Sequence, residues 1–121
     1  MRTSAKILLI TAFFSSAMAM AKEKTPYCDV NYGNPAGVEM KEDLQFECGN
    51  VGGSYFCTVL HQWNGFTTVV NFGGVDSLYN ATMSSPEGVS TDAVVTPTID
   101  NLNLKSENGD YVSVNCWQYG N

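Results

Sequence analysis

The chain has 121 residues, 44% of them hydrophobic and 15% charged, with 12 acids against 6 bases and a formal net charge of −6. That length suits a single domain. The charge argues against nucleic acid and against an anionic membrane surface as partners, because both are held through clustered Lys and Arg.

Residues 1–21 read as a cleavable secretory signal rather than as part of the fold. Arg2 and Lys6 give a positive start, residues 7–14 an apolar centre, and Ala17-Met18-Ala19 and Ala19-Met20-Ala21 two overlapping small-residue cleavage sites. The apolar stretch, about 15 residues with Thr11, Ser15 and Ser16 inside it, falls short of the roughly 20 that a membrane helix needs. No cysteine follows the small residues, so no lipid anchor and no membrane span are expected. Residues 22–121 then form one domain, exported to the periplasm or beyond. It keeps Lys22, Lys24, Lys41 and Lys105, no arginine and all twelve acids, a formal net charge of −8. Such a field attracts cationic partners, although acidity also serves plain solubility.

Along the domain, short apolar runs alternate with Gly, Asn, Pro and Ser at intervals of about 8–12 residues, the rhythm of an all-β fold. A first strand is expected at 27–32. Residues 36–44 are the one stretch that suits a turn or two of helix, with Gly37 inside it. A turn at Gly52-Gly53 sets Cys48 opposite Cys57 and Phe46 opposite Val59. Asn64-Gly65, as a type I′ turn, pairs Trp63 with Phe66, His61 with Thr68, Val59 with Val70 and Cys57 with Phe72. One face of these strands is then apolar, carrying Phe46, Cys48, Cys57, Val59, Val70 and Phe72. The reverse face carries Glu47, Thr58, Leu60, Val69 and Asn71 and is only partly polar.

Further strands are expected at 77–83, 89–96, 99–104 and 112–116, with Pro97 between two of them, where its missing N–H does least harm. For the last hairpin, a two-residue turn at Asn108-Gly109 sets Leu104 opposite Ser113 and mixes core with solvent. A three-residue loop, Glu107-Asn108-Gly109, sets Leu104 opposite Val112, Leu102 opposite Val114 and Asp100 opposite Cys116. Facing residues share one side of a sheet, so the second register is expected, with Val112, Val114 and Cys116 inward. The whole reads as an all-β domain: a small antiparallel β-sandwich or partly closed barrel of about eight strands.

Four cysteines in an exported domain imply two disulfides. Register supports Cys48–Cys57, which leaves Cys28–Cys116 to tie the first strand to the last. The pairing of Cys28–Cys48 with Cys57–Cys116 stays open, as does the third combination, because directly opposed bridges are geometrically tight. Zinc is a poor fit: the spacing holds no C-x2-C pair, and His61 is the only histidine.

Chemistry is sparser. No G-x-S-x-G surrounds a serine, so a hydrolase built on His61 has no supporting motif. Glu39, Glu42, Asp43 and Glu47 could supply paired carboxylates for glycoside hydrolysis, but Glu42-Asp43 reads more simply as a solvated run leading into a strand. Glu107, Asn108 and Asp110, or Asp76 with Asn80, could hold calcium weakly, yet these are ordinary turn residues and the EF-hand pattern is absent. Asn80-Ala81-Thr82 matches a glycosylation sequon. Aromatic residues are the more suggestive group: Tyr55, Trp63, Phe66, Tyr111 and Trp117 could anchor a partner, with Trp63 and Phe66 flanking a hairpin tip. In general character the chain resembles small exported, disulfide-stapled β proteins that bind and block a cationic enzyme. The leading expectation is a non-enzymatic binding module for a protein partner, with no cofactor, using Tyr55, His61, Trp63, Phe66, Tyr111 and Trp117. A glycan-binding module using the hairpin-tip aromatics is the alternative, and a small hydrolase using His61 a third.

Overall fold

A computed structural model describes residues 25–92 and 95–119. The expected signal segment, 1–21, and Lys22 and Lys24 lie outside the described residues. The described chain is all-β, with nine strands: β1 (Thr25–Gly33), β2 (Glu39–Asp43), β3 (Glu47–Val51), β4 (Ser54–Trp63), β5 (Phe66–Gly73), β6 (Leu78–Ser84), β7 (Ser90–Asp92), β8 (Ile99–Lys105) and β9 (Tyr111–Tyr119). Every pairing is antiparallel. Sheet 1 has the order β2-β1-β9-β8, and sheet 2 the order β3-β4-β5-β6-β7.

The core forms where the apolar phase of both sheets points inward. Sheet 1 supplies Cys28, Val30, Tyr32, Ile99, Val112, Val114 and Cys116, and sheet 2 supplies Cys57, Phe66, Val70, Phe72, Tyr79, Ala81 and Met83, all buried. Each fully buried Val or Phe contributes about 1.5–3 kcal/mol of transfer free energy, against the entropy of ordering the chain. Both disulfides join residues that face each other in register. Cys28–Cys116 links β1 to β9 across 88 positions, and Cys48–Cys57 links β3 to β4 across nine.

The expected hairpin registers hold. Trp63 faces Phe66, His61 faces Thr68 and Val59 faces Val70. Asn64 and Gly65 both have positive φ, 47° and 84°, as a type I′ turn requires. At the last hairpin Leu104 faces Val112 and Leu102 faces Val114. The loop closes through Ser106 N donating to the Asp110 carbonyl at 2.8 Å, with Gly109 at φ 94°.

Three expectations need correction. Residues 36–44 are a turn followed by β2, not helix. Asn34 Oδ1 accepts from the amides of Ala36 and Val38, which bends the chain back so that Glu39–Asp43 pairs with β1. This strand raises the count from about eight to nine. The expected strand at 89–96 shrinks to Ser90–Asp92 plus an isolated bridge between Thr96 and Tyr79, with 93 and 94 outside the described residues. Finally, Asp100 does not face Cys116; Ile99 does. A bulge places both Asp100 and Asn101 opposite Asn115, with Asn101 in the left-handed region at φ 59°.

Two features position the surfaces discussed below. The chain switches sheets between β2 and β3: the Leu44 amide still donates to the Cys28 carbonyl in sheet 1, and three residues later Glu47 is paired in sheet 2. The turns after β1, β4, β6 and β8 gather at one end. There Asn64 Nδ2 reaches Asp110 Oδ2 at 3.5 Å, and the Glu107 amide reaches Glu87 Oε2 at 3.3 Å.

Candidate binding surfaces

Because β3 covers β4 only as far as Thr58, residues 59–63 of β4 form the edge of sheet 2 beside β2, the edge of sheet 1. Four side chains meet in this seam: Tyr32 from β1, Glu42 from β2, and His61 and Trp63 from β4. The Tyr32 hydroxyl donates to Glu42 Oε2. Its ring lies 5.0 Å from His61 and 4.9 Å from Trp63, and Trp63 stacks on Phe66 at 6.2 Å. Glu42 holds the Tyr32 phenol above its usual range, chiefly through that hydrogen bond. His61 Nε2 sits 3.8 Å from Glu42 Oε1. Burial pushes the imidazole below 6.5, more than the Glu42 charge raises it. The ring is therefore largely neutral at pH 7, and its contact with Glu42 is not a full ion pair. Its other nitrogen, Nδ1, and the facing Thr68 Oγ1 are buried with no hydrogen-bond partner among the described residues. A nucleophile relay would need a hydroxyl bonded to the imidazole.

The six aromatic and imidazole residues singled out from the sequence do not share one surface. His61 and Trp63 lie in the seam. Phe66 is 1% exposed and belongs to the core, so it offers no stacking face. Tyr55 is half-buried at the far end of β4, about 27 Å from Trp63 at the rise of an extended strand. Tyr111 and Trp117 stand on the outer face of sheet 1. Tyr111 donates its hydroxyl to Glu39 Oε2 at 3.0 Å, and Trp117 packs on Tyr27 with ring centres 4.7 Å apart.

On that outer face the sequence points to Tyr111 and Trp117 but not to Asp29, Asn31 or Asn115. Facing pairs place Asp29 beside Asp43 and Asn115, Asn31 beside Lys41 and Ser113, and Tyr27 beside Trp117. A cleft of about 510 Å³ opens there, lined by Asp29, Asn31, Lys41, Asp100, Asn115 and Trp117 among others. The one available sequence signal was the alternation of Cys28, Val30 and Tyr32, which leaves Asp29 and Asn31 on the reverse face.

The acids concentrate along the sheet-switching strand. Glu39, Glu42, Asp43 and Glu47 lie within nine positions and all are exposed. Among the described residues the lysines are Lys41, whose Nζ is 3.5 Å from Asp29 Oδ2, and Lys105. No group of three or more His, Cys, Asp or Glu among the described residues is placed to hold a metal ion. At the last hairpin, Asn108 Oδ1 instead accepts from the Ser106 hydroxyl and the Asp110 amide. Among the described residues no helix is long and apolar enough to cross a membrane. No family model, no curated protein and no solved structure matches this chain.

Proposed function

We propose that the domain is an exported, non-enzymatic binding module whose partner is a cationic protein, a secreted or periplasmic enzyme that it blocks. The observation that carries this reading is the acidic edge: Glu39, Glu42, Asp43 and Glu47 project from an edge segment whose every strand residue is exposed. An edge so charged resists pairing with another strand, which keeps it open for side-chain contacts. Concentrated acids also steer a basic partner and suppress acidic ones. Beside the acids lie Met40, 40% exposed, and the half-buried Trp63, an apolar contact for the same partner.

The test uses the oxidised mature protein against a panel of purified basic and acidic hydrolases, at low and high salt. A basic enzyme should bind and lose activity, with affinity falling as salt rises. The triple variant Glu39→Gln, Glu42→Gln, Glu47→Gln should weaken binding by about tenfold, as expected for three exposed charge pairs of a few tenths to 1 kcal/mol each. Binding that ignores both salt and the triple variant would remove the acidic edge as the docking surface.

A further inference from the structure

We propose that the outer face of sheet 1 carries a second site, independent of the acidic edge, that takes a neutral saccharide and is centred on Asp29. Asp29 is 4% exposed, though it sits on the face of the sheet turned away from the core. A carboxylate in such a position needs hydrogen-bond donors. Its Oδ2 has Lys41 Nζ at 3.5 Å. Its Oδ1 is buried with no hydrogen-bond partner among the described residues. The Lys41 side chain is 65% exposed and flexible, so it forms a loose cover that a ligand can move aside.

The surroundings define the ligand. The cleft beside Asp29, about 510 Å³, lies within the range of small-ligand sites. Asp29 offers only acceptors and Lys41 only donors, while Asn31 carries both. Asn115 Oδ1 is engaged by the Asn101 amide at 2.7 Å, which turns its Nδ2 into the available group. Acceptors and donors alternating within one cleft match adjacent hydroxyls, each of which donates and accepts. Trp117, steadied by Tyr27, walls the cleft with an aromatic ring of the kind on which the C–H face of a sugar packs. The bulge at Asp100 and Asn101 brings a second carboxylate to the rim. Together with Asp29 it disfavours anionic sugars, which makes the expected ligand neutral.

The experiment titrates the oxidised mature protein with neutral oligosaccharides of glucose, galactose, mannose and N-acetylglucosamine, with uronic-acid oligosaccharides, and with N-acetyl-lysine amide as a cationic probe. Side-chain amide signals of Asn31 and Asn115 and the indole signal of Trp117 are followed by NMR. At least one neutral sugar should shift these signals, and uronic-acid oligosaccharides should not. Asp29→Asn should weaken binding by about 10- to 100-fold, the factor for one hydrogen bond to a charged group. Trp117→Ala should weaken it independently, so the test survives if either variant folds poorly. Leu60→Ala, on the exposed outer face of sheet 2, should leave it unchanged. Two results would overturn the proposal: no neutral sugar shifts the three signals, or only the lysine probe does so, with Trp117→Ala without effect.

Discussion

The two sheets solve the same packing problem with different connectivity. Sheet 2 is a run of neighbours, β3 to β7, in which each strand pairs with the next in sequence. Sheet 1 pairs the first strand with the last and must close nearly the whole domain to do so. Closing a long loop costs more chain entropy than closing a short one. The bridges follow that difference. Cys28–Cys116 is buried in the core and spans 88 positions, whereas Cys48–Cys57 spans nine and has Cys48 exposed at an edge. The outer faces differ as well. Sheet 1 presents Asp29, Asn31, Lys41 and Asn115, while sheet 2 presents Phe56 and Leu60, 45% and 58% exposed, among Thr58 and Asn71. Polar chemistry therefore sits on the sheet that the long bridge holds closed.

The largest expected effect tests this asymmetry directly. On a chain-entropy basis, removing Cys28–Cys116 by double alanine substitution should cost about 4–5 kcal/mol, and removing Cys48–Cys57 about 2.5–3 kcal/mol. The first variant also loses side chains packed in the core, which adds to its cost. Urea denaturation of both variants measures the gap. Equal losses would mean that the unfolded chain already holds its ends together, and the contrast between the sheets would lose its energetic basis.

Next in size is the tie between the sheets. Tyr79, on β6 of sheet 2, accepts a hydrogen bond from the Tyr27 amide at 2.8 Å and donates to the Trp117 carbonyl at 2.5 Å. Both partners belong to the β1–β9 pair of sheet 1. Tyr79→Phe keeps the ring against Phe72 and removes both hydrogen bonds of the hydroxyl, a loss of about 1–3 kcal/mol. Burial pushes the Tyr79 phenol up to about 12, above the ordinary 10.0, despite the opposing pull of the Tyr27 amide. A raised phenol favours the folded state while neutral, so that stability is complete below pH 10 and is lost as pH rises towards 12. Stability of the wild type should fall across that window more steeply than that of Tyr79→Phe.

The sequence made register legible wherever a one-residue slip would have exchanged core for solvent. Leu104 opposite Val112, and Cys57 opposite both Cys48 and Phe72, follow from the alternation of apolar residues. β2 left no such trace. Glu-Met-Lys-Glu-Asp has no inward apolar phase, its residues are all exposed, and its strand geometry comes from pairing with β1. The bulge left only Asn101 as a cue, since Asn tolerates positive φ. The cleft around Asp29 depends on both features, because β2 brings Lys41 and the bulge brings Asp100. The burial of Phe66 is hidden in the sequence for a related reason. A hairpin tip reads as exposed, but a Cβ on Gly65 would lie 3.0 Å from Pro86, so the next turn packs over this one.

The smallest expected effect concerns the seam where the two sheets part. His61 titrates below 6.5 because burial disfavours the imidazolium, while the Glu42 charge partly offsets that shift. An unfolded chain then takes up the proton at a higher pH than the folded one. Stability contributed by neutral His61 is complete above pH 6.5 and declines as pH falls through 6.5 towards the lower folded value. In Glu42→Gln the favourable charge is gone and burial acts alone, so the NMR midpoint of His61 should move further down. A midpoint that rises in Glu42→Gln would mean that the carboxylate does not act as a charge on the ring. A wild-type midpoint above 6.5 would mean that Glu42 outweighs burial. The seam would then be held by an ion pair rather than by the packing of His61 and Trp63 around Tyr32, and salt would weaken it.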